Sequence, residues 1–245
     1  MSALVGVGMA SFAERGHDCY PTHPIAVHGL MRVVRLPSLL WEPCCGDGSI
    51  VRVLRGAGHT VIAEDLVDYG CPDSRSGIDF LKEQAAPPGC DTILTNPPYM
   101  LADEFVTKAL ELVPRVIMLL RLAFIEAECR RHLIDDGPLV GYYPFRNRLP
   151  MMHRQGYTGR RNESPAIGYA WFEWNRDHRG RVRLKRLGFS RCKVCKEPFV
   201  AREGALTCSD ACRQKQYRKR TTRARKPVTV KSSKGGLSVT LETPS

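Results

Sequence analysis

The 245-residue sequence has no long hydrophobic run: none reaches the roughly 18 to 20 apolar residues a bilayer core requires, and the best, Val116 to Phe124, is broken by Arg121. No membrane span is expected. No Lys or Arg precedes the mildly apolar stretch Ala3 to Ala13, so the basic start of a secretory signal is also missing. Acidic residues are scarce at one end only. Residues 1–175 carry 17 Lys and Arg against 20 Asp and Glu, whereas 176–245 carry 20 against 5, so the formal net charge of +12 is a C-terminal property. A near-neutral catalytic half joined to a basic tail suits a polyanionic substrate; a basic surface kept for solubility is the simpler alternative. Six cysteines, Cys19, Cys44, Cys45, Cys71, Cys90 and Cys129, are scattered singly or adjacent. They read as reduced thiols of an intracellular, cytoplasmic protein.

What is present begins with Asn96-Pro97-Pro98-Tyr99, directly after the apolar run Asp91 to Thr95. Two prolines fix their own φ angles and remove two backbone donors, so the strand must stop and the chain must turn stiffly. The side-chain oxygen of Asn96, the Pro97 carbonyl and the Tyr99 ring then suit a planar base bearing an exocyclic amine. A plain strand followed by a proline-rich turn is the simpler reading. Upstream, the short strand Leu39-Leu40-Trp41 leads into Glu42-Pro43-Cys44-Cys45-Gly46-Asp47-Gly48-Ser49 and a helical pattern at Ile50, Val51, Val53 and Leu54. Strand, Gly-x-Gly turn and helix is a nucleotide-cofactor arrangement, in which glycines let a ligand approach the backbone. The third glycine of the dinucleotide fingerprint is absent, because Val51 stands there. That argues against a pyrophosphate and leaves an adenosyl cofactor open. A second strand, Thr60 to Ala63, ends in Glu64-Asp65, at the spacing where a carboxylate reaches ribose hydroxyls; Asp65 is the first choice and Glu64 the second. Asp79-Phe80 places an acceptor beside a ring, suited to an adenine, and Asp79 is equally a helix N-cap.

In motif order, residues 17–188 resemble the S-adenosylmethionine-dependent DNA adenine-N6 methyltransferases, especially the compact ones of bacteriophages and prophages. Asn96-Pro97-Pro98-Tyr99 matches the catalytic motif of that family, and Glu42-Pro43-Cys44-Cys45-Gly46-Asp47-Gly48 its cofactor loop, with cysteines where small residues are usual. Asp65 and Asp79-Phe80 fall where the family binds ribose and adenine. Tyr20-Pro21-Thr22-His23-Pro24 resembles the segment closing over the methionyl end of the cofactor. The resemblance implies an α/β, Rossmann-like methyltransferase fold with a mostly parallel seven-stranded sheet over residues 1–188. It also implies S-adenosylmethionine as cofactor, and double-stranded DNA with a flipped-out base as substrate, in a bacterial or phage-infected cell. No cysteine nucleophile is needed, since attack by the amine is direct; catalysis is mostly positioning.

Four cysteines form a separate pattern. Cys192-x2-Cys195 and Cys208-x3-Cys212, twelve residues apart, have the spacing of a closed tetrahedral zinc site, the second pair at an expected helix start. The intervening hairpin offers Phe199 and Val200 as a minimal core, too small to fold without metal. A redox Cys-x-x-Cys would leave the second pair unexplained. The expected organisation is a zinc module with a basic helix over 189–226, followed by a flexible tail over 227–245. Arg213, Lys215, Arg218, Lys219 and Arg220 ring the helix from Asp210, a pattern for phosphate contact without base reading.

Further strands are expected at Arg115 to Leu120, Leu139 to Tyr143 and Ala166 to Trp174, the last antiparallel, with helices at Asp103 to Leu112 and Phe124 to Ile134. Arg181 to Leu187 would extend the sheet at its edge. The loop Phe145 to Pro165, with Arg146, Arg148, His153, Arg154, Arg160 and Arg161 against the single acid Glu163, reads as a DNA clamp beside Asn96, Met151, Met152 and Tyr157 joining His153 near the base. Four alternatives stand beside DNA adenine-N6 methylation: RNA adenine, cytosine N4 (where Ser usually replaces Asn96), protein glutamine, and an inactive zinc-dependent nucleic-acid-binding protein.

Overall fold

The computed structural model describes residues 21–149, 167–200 and 205–224, the last five of these by backbone alone. The expectations at Tyr20, Met151, Met152, His153, Arg154, Tyr157, Arg160, Arg161 and the tail 227–245 lie outside the described residues. The chain divides into two compact units, Met1–Gly188 and Phe189–Ser245.

In the first unit, apolar runs of four to seven residues bounded by Gly, Pro and Asp become strands: β1 (Leu39–Glu42), β2 (Thr60–Asp65), β3 (Arg75–Ser76), β4 (Thr92–Thr95), β5 (Arg115–Arg121), β6 (Leu139–Pro144), β7 (Tyr169–Asn175) and β8 (Arg183–Leu184). They form one sheet in the order β3-β2-β1-β4-β5-β7-β6-β8. Every pairing is parallel except those of β7, which runs antiparallel to both β5 and β6. This is a Rossmann-like, mostly parallel sheet, as expected. The seven expected strands are joined by an eighth where Arg183–Leu184 pairs with Gly141 and Tyr142, and the third strand lies just ahead of Gly77.

Burial explains the strand chemistry. Val116 to Leu120 are all fully buried, a continuous apolar run that only a sheet covered on both faces accommodates. Helix α1 (Pro24–Met31) begins with a His23 N-cap, whose Nδ1 accepts from Ile25 N, and a Pro at its first position. Helix α2 is Ser49–Gly56, and α3 (Ala102–Leu112) buries Phe105, Val106 and Ala109. Trp171 and Trp174 are sheet packing: both are fully buried, with indole N–H groups donating to Ala26 O (3.0 Å) and Leu133 O (2.9 Å). Buried Glu173 is offset by Arg115 at 2.6 Å and by the Tyr143 hydroxyl at 2.6 Å.

One element departs from expectation. Phe124 to Ile134 is not one helix; it is 3₁₀ turns at Leu122–Glu126 and Glu128–Arg130, then α4 (Arg131–Ile134). Ala127 is extended between them (φ −86°, ψ 127°), and the Arg130 guanidinium donates to Phe124 O at 3.1 Å while pairing with Asp103. Side-chain donation thus replaces the helical ladder, and Phe124 is released to pack against Phe172 and Trp174.

The second unit holds a short hairpin, β9 (Ser190–Arg191) with β10 (Pro198–Phe199), and helix α5 (Asp210–Ala224). Phe199 and Val200 are only partly buried.

Candidate functional site

Strand order reverses around β1, whose neighbours are β2 on one side and β4 on the other. At such a switch point the connections leave to opposite faces and open a crevice outside the carboxyl ends of the strands. A cavity lies there. Its wall brings together Thr22, Glu42, Pro43, Cys44, Gly46, Asp65, Asp79, Phe80, Asn96 and Pro98, residues the sequence had singled out from five separate segments.

The loop after β1 is shaped by its two glycines. Gly46 has φ +53° and its N–H donates to Asp65 Oδ2 at 2.8 Å, so Asp65, whose Oδ1 also accepts from Val67 N, ties the loop to the end of β2. Gly48 has φ +79°, and a Cβ there would lie 2.6 Å from Cys71 Sγ. Gly48 is not on the cavity wall: its lack of a side chain serves the turn and the approach of Cys71, rather than the approach of a ligand. Glu64 also leaves the cavity. Adjacent strand residues face opposite sides, so Asp65 takes the cavity face, and Glu64 is buried with its carboxylate accepting from Trp41 Nε1 (2.8 Å) and paired with Arg75.

Glu42 is 1% exposed, and its Oε2 has no hydrogen-bond partner among the described residues. Burial first, then the nearby Asp65 and Asp47 carboxylates, hold its carboxyl well above the usual range. A buried acid with an unmet oxygen is a natural acceptor for a cationic ligand group. Asp79 caps the 3₁₀ turn Phe80–Lys82, Oδ1 accepting from Leu81 N, while remaining on the wall. The Phe80 ring packs between Trp41 and Phe105 in the core. Burial pushes the thiols of Cys44 and Cys45 up, Asp65 adding to the first and Cys71 to the second. Both are poor nucleophiles at neutral pH.

The turn after β4 splits its residues between two sides. Asn96 and Pro98 are on the cavity wall, whereas Pro97 is buried and Tyr99 lies against Tyr169, ring centroids 5.6 Å apart. Asn96 Nδ2 donates to Thr22 Oγ1 at 3.0 Å, which fixes the amide with its carbonyl end as the acceptor. Pro98 O accepts from Leu101 N and closes the turn. Burial, then the Tyr169 hydroxyl, hold the Tyr99 phenol above its usual range. Sequence reasoning missed the apolar rim: Leu66, Met100 and Leu101 line the cavity at 53%, 61% and 39% exposure. Their position immediately after Asp65 and Tyr99 was the available signal.

In the second unit, the sulfurs of Cys192, Cys195, Cys208 and Cys212 all lie within 4.8 Å of one another. Cys195 to Cys208 is 3.5 Å and Cys208 to Cys212 is 3.7 Å. A tetrahedral zinc with Zn–S of about 2.3 Å needs sulfurs about 3.8 Å apart. The four residues therefore fit one such ion. Burial raises the Cys192 thiol, yet the backbone amides of Cys195 and Val194 outweigh it and bring it down to about 6. Cys208, sharing protons with Cys195, is pushed up to about 12. Lys196 takes a left-handed φ of 69° and its N–H donates to Cys192 O, closing the knuckle. Arg213, Lys215, Arg218 and Lys219 are exposed on α5.

No protein-family model matches the sequence, and no curated protein matches it either. Solved structures resemble it at low identity. A 23S rRNA methyltransferase, ErmE, is 17% identical with a TM-score of 0.40, covering 62% of this chain and 66% of its own. A dimethyladenosine transferase from Plasmodium falciparum is 14% identical with a TM-score of 0.43, covering 63% of this chain and 61% of its own. A TehB-like SAM-dependent methyltransferase from Corynebacterium glutamicum is 17% identical with a TM-score of 0.38, covering 65% of this chain and 90% of its own. At these scores nothing about cofactor or acceptor passes to this chain. Among the described residues, no helix is long and apolar enough to cross a membrane.

Proposed function

We propose that the chain is an S-adenosylmethionine-dependent methyltransferase acting on the N6 amine of adenine in DNA. The observation that carries the reading is the presence of Asn96 on the same cavity wall as Glu42, Gly46, Asp65 and Asp79. On this reading an amine-acceptor turn and a phosphate-free nucleoside site share one cleft. When bound there, the cofactor supplies an electrophilic methyl on its sulfonium. Glu42 would offer its unmet oxygen to the cationic methionyl end, Asp65 would hold the ribose, and Asp79 with the Phe80 edge would hold the adenine of the cofactor.

The chain's task at the acceptor is geometric. An N6 lone pair delocalised into the purine is a poor nucleophile, so both amine hydrogens must be held where the lone pair turns out of conjugation. Thr22 holds the Asn96 amide so that its oxygen accepts one hydrogen; the Pro97 carbonyl accepts the other. Tyr99 stacks on the base once it has left the duplex. In the second unit, the four cysteines would hold a structural zinc and the exposed basic residues of α5 would contact phosphates. Incubation with methyl-labelled S-adenosylmethionine and, in parallel, DNA, RNA and a soluble protein extract tests the acceptor class. Label in DNA supports the reading; label confined to RNA or protein replaces it.

A further inference from the structure

At the carboxyl edge of the sheet, beside the Asn96 turn, stand two arginines, Arg121 and Arg148, that pair with no acid among the described residues. Arg121 ends β5, in register with Tyr169, and its guanidinium carbon stands 5.0 Å from the centre of the Tyr99 ring. Its Nε is buried and has no hydrogen-bond partner among the described residues. Other arginines of this sheet are matched: Arg115 and Arg183 with Glu173, Arg75 with Glu64. Arg121 has no ion pair with a carboxylate among the described residues. A buried guanidinium donor left unmet is unfavourable in the free protein, so some other group is expected to meet it. A second guanidinium comes close. Gly168 precedes Tyr169, and a Cβ there would lie 2.5 Å from the exposed Arg148 Nη1.

Two phenol rings and the Arg121 guanidinium, unmatched among the described residues, beside an amine-accepting turn describe a ligand with both a flat ring and an anionic oxygen cluster. Guanidinium forks fit phosphate in bidentate fashion, and the cation–π contact keeps Arg121 at the spot until such an anion arrives. A glutamine side chain would offer neither ring nor phosphate. We propose that Arg121 is a phosphate-binding residue of the acceptor subsite, contacting the phosphate of the nucleotide whose base is presented to Asn96. The proposal rests on the methyltransferase reading for the location of the acceptor, and its test needs no turnover.

Binding of 2′-deoxyadenosine 5′-monophosphate and of 2′-deoxyadenosine to the full chain saturated with S-adenosylhomocysteine is measured by equilibrium dialysis. One charge-assisted contact predicts that the monophosphate binds about tenfold tighter than the nucleoside. Arg121→Ala should abolish that preference with S-adenosylhomocysteine affinity unchanged, and Arg121→Lys should restore part of it. If the alanine variant loses S-adenosylhomocysteine affinity, Arg121→Gln, which keeps the packed stem and removes the charge, carries the comparison. Equal binding of the two ligands, no binding of either, or a preference that survives loss of the charge overturns the proposal. Failure of the methyltransferase reading shows separately, as absence of label in DNA.

Discussion

Gly48→Ala isolates the physical demand that shapes the loop after β1. The backbone there has φ +79°, a conformation that costs an L-residue roughly 1–2 kcal/mol. The new methyl would also meet Cys71 Sγ at 2.6 Å and Cys71 Cβ at 3.3 Å, and Cys71 is itself only 7% exposed and has little room to yield. Overpacking of that kind costs about 1–3 kcal/mol. The sum, about 2–5 kcal/mol, is a large share of an ordinary domain's stability of roughly 5–15 kcal/mol. All three tryptophans, Trp41, Trp171 and Trp174, are buried in the first unit, so their fluorescence during urea unfolding reports on that unit. Combining the change with Cys71→Ala should recover the overpacking part, about 1–3 kcal/mol, and leave the backbone part. Gly56→Ala, at a helical position with open space around it, serves as the control and should be neutral or stabilising by up to about 1 kcal/mol. If Gly48→Ala costs no more than the control, or costs the same with and without the Cys71 sulfur, the account of this loop is wrong.

Other consequences are as direct. Glu42 has its folded-state pKa raised, so its contribution to stability is greatest below the unfolded value near 4.5 and is lost as pH rises towards the folded value. Glu42→Gln should therefore raise the melting temperature at neutral pH while weakening S-adenosylmethionine binding; a lower melting temperature at pH 7 would refute the unmatched-acid reading. The purified chain should carry about one zinc, and Cys208→Ser should release it and expose the amides of residues 190–215 to hydrogen exchange without changing cofactor affinity. Lys196→Gly relieves a left-handed φ and should make zinc harder to remove with a chelator; easier removal would contradict the knuckle geometry. Truncation after Gly188 should weaken DNA binding and flatten its dependence on salt, by nearly one unit of slope for each phosphate contact removed, with the methylated sequence motif unchanged.

What the sequence made legible was local chemistry. The Asn96-Pro97-Pro98-Tyr99 turn, the Gly46 loop, the Asp65 and Asp79 carboxylates and the four-cysteine spacing each carry their meaning within a few residues, and the structure brings Asn96, Pro98, the Gly46 loop and the two carboxylates to one cavity. Matters decided by distant neighbours were hidden. Whether Glu64 or Asp65 faces the cavity depends on the register of β2 against β1, and Trp41 with Arg75 settles it. Gly48 reads as a ligand contact until Cys71, brought alongside by the fold, supplies the reason for a glycine. The segment Phe124 to Ile134 has helical spacing, but Arg130 caps its carbonyls from the side and Asp103 holds that arginine, a tertiary arrangement that overrides periodicity. Arg121 looks in sequence like an interruption of an apolar run; its place over Tyr99 emerges only when β4 and β5 are paired.

Amine methylation directed by Asn96 is tested by mass spectrometry of nucleosides from DNA treated with S-adenosylmethionine and the protein. The wild-type chain should produce N6-methyladenine. Asn96→Ala should lose most of that product while still binding cofactor, because the substitution removes an acceptor needed at the reacting amine and leaves Glu42, Asp65 and Asp79 in place. N4-methylcytosine alone, no modified nucleoside, or near wild-type N6-methyladenine from Asn96→Ala would contradict the account.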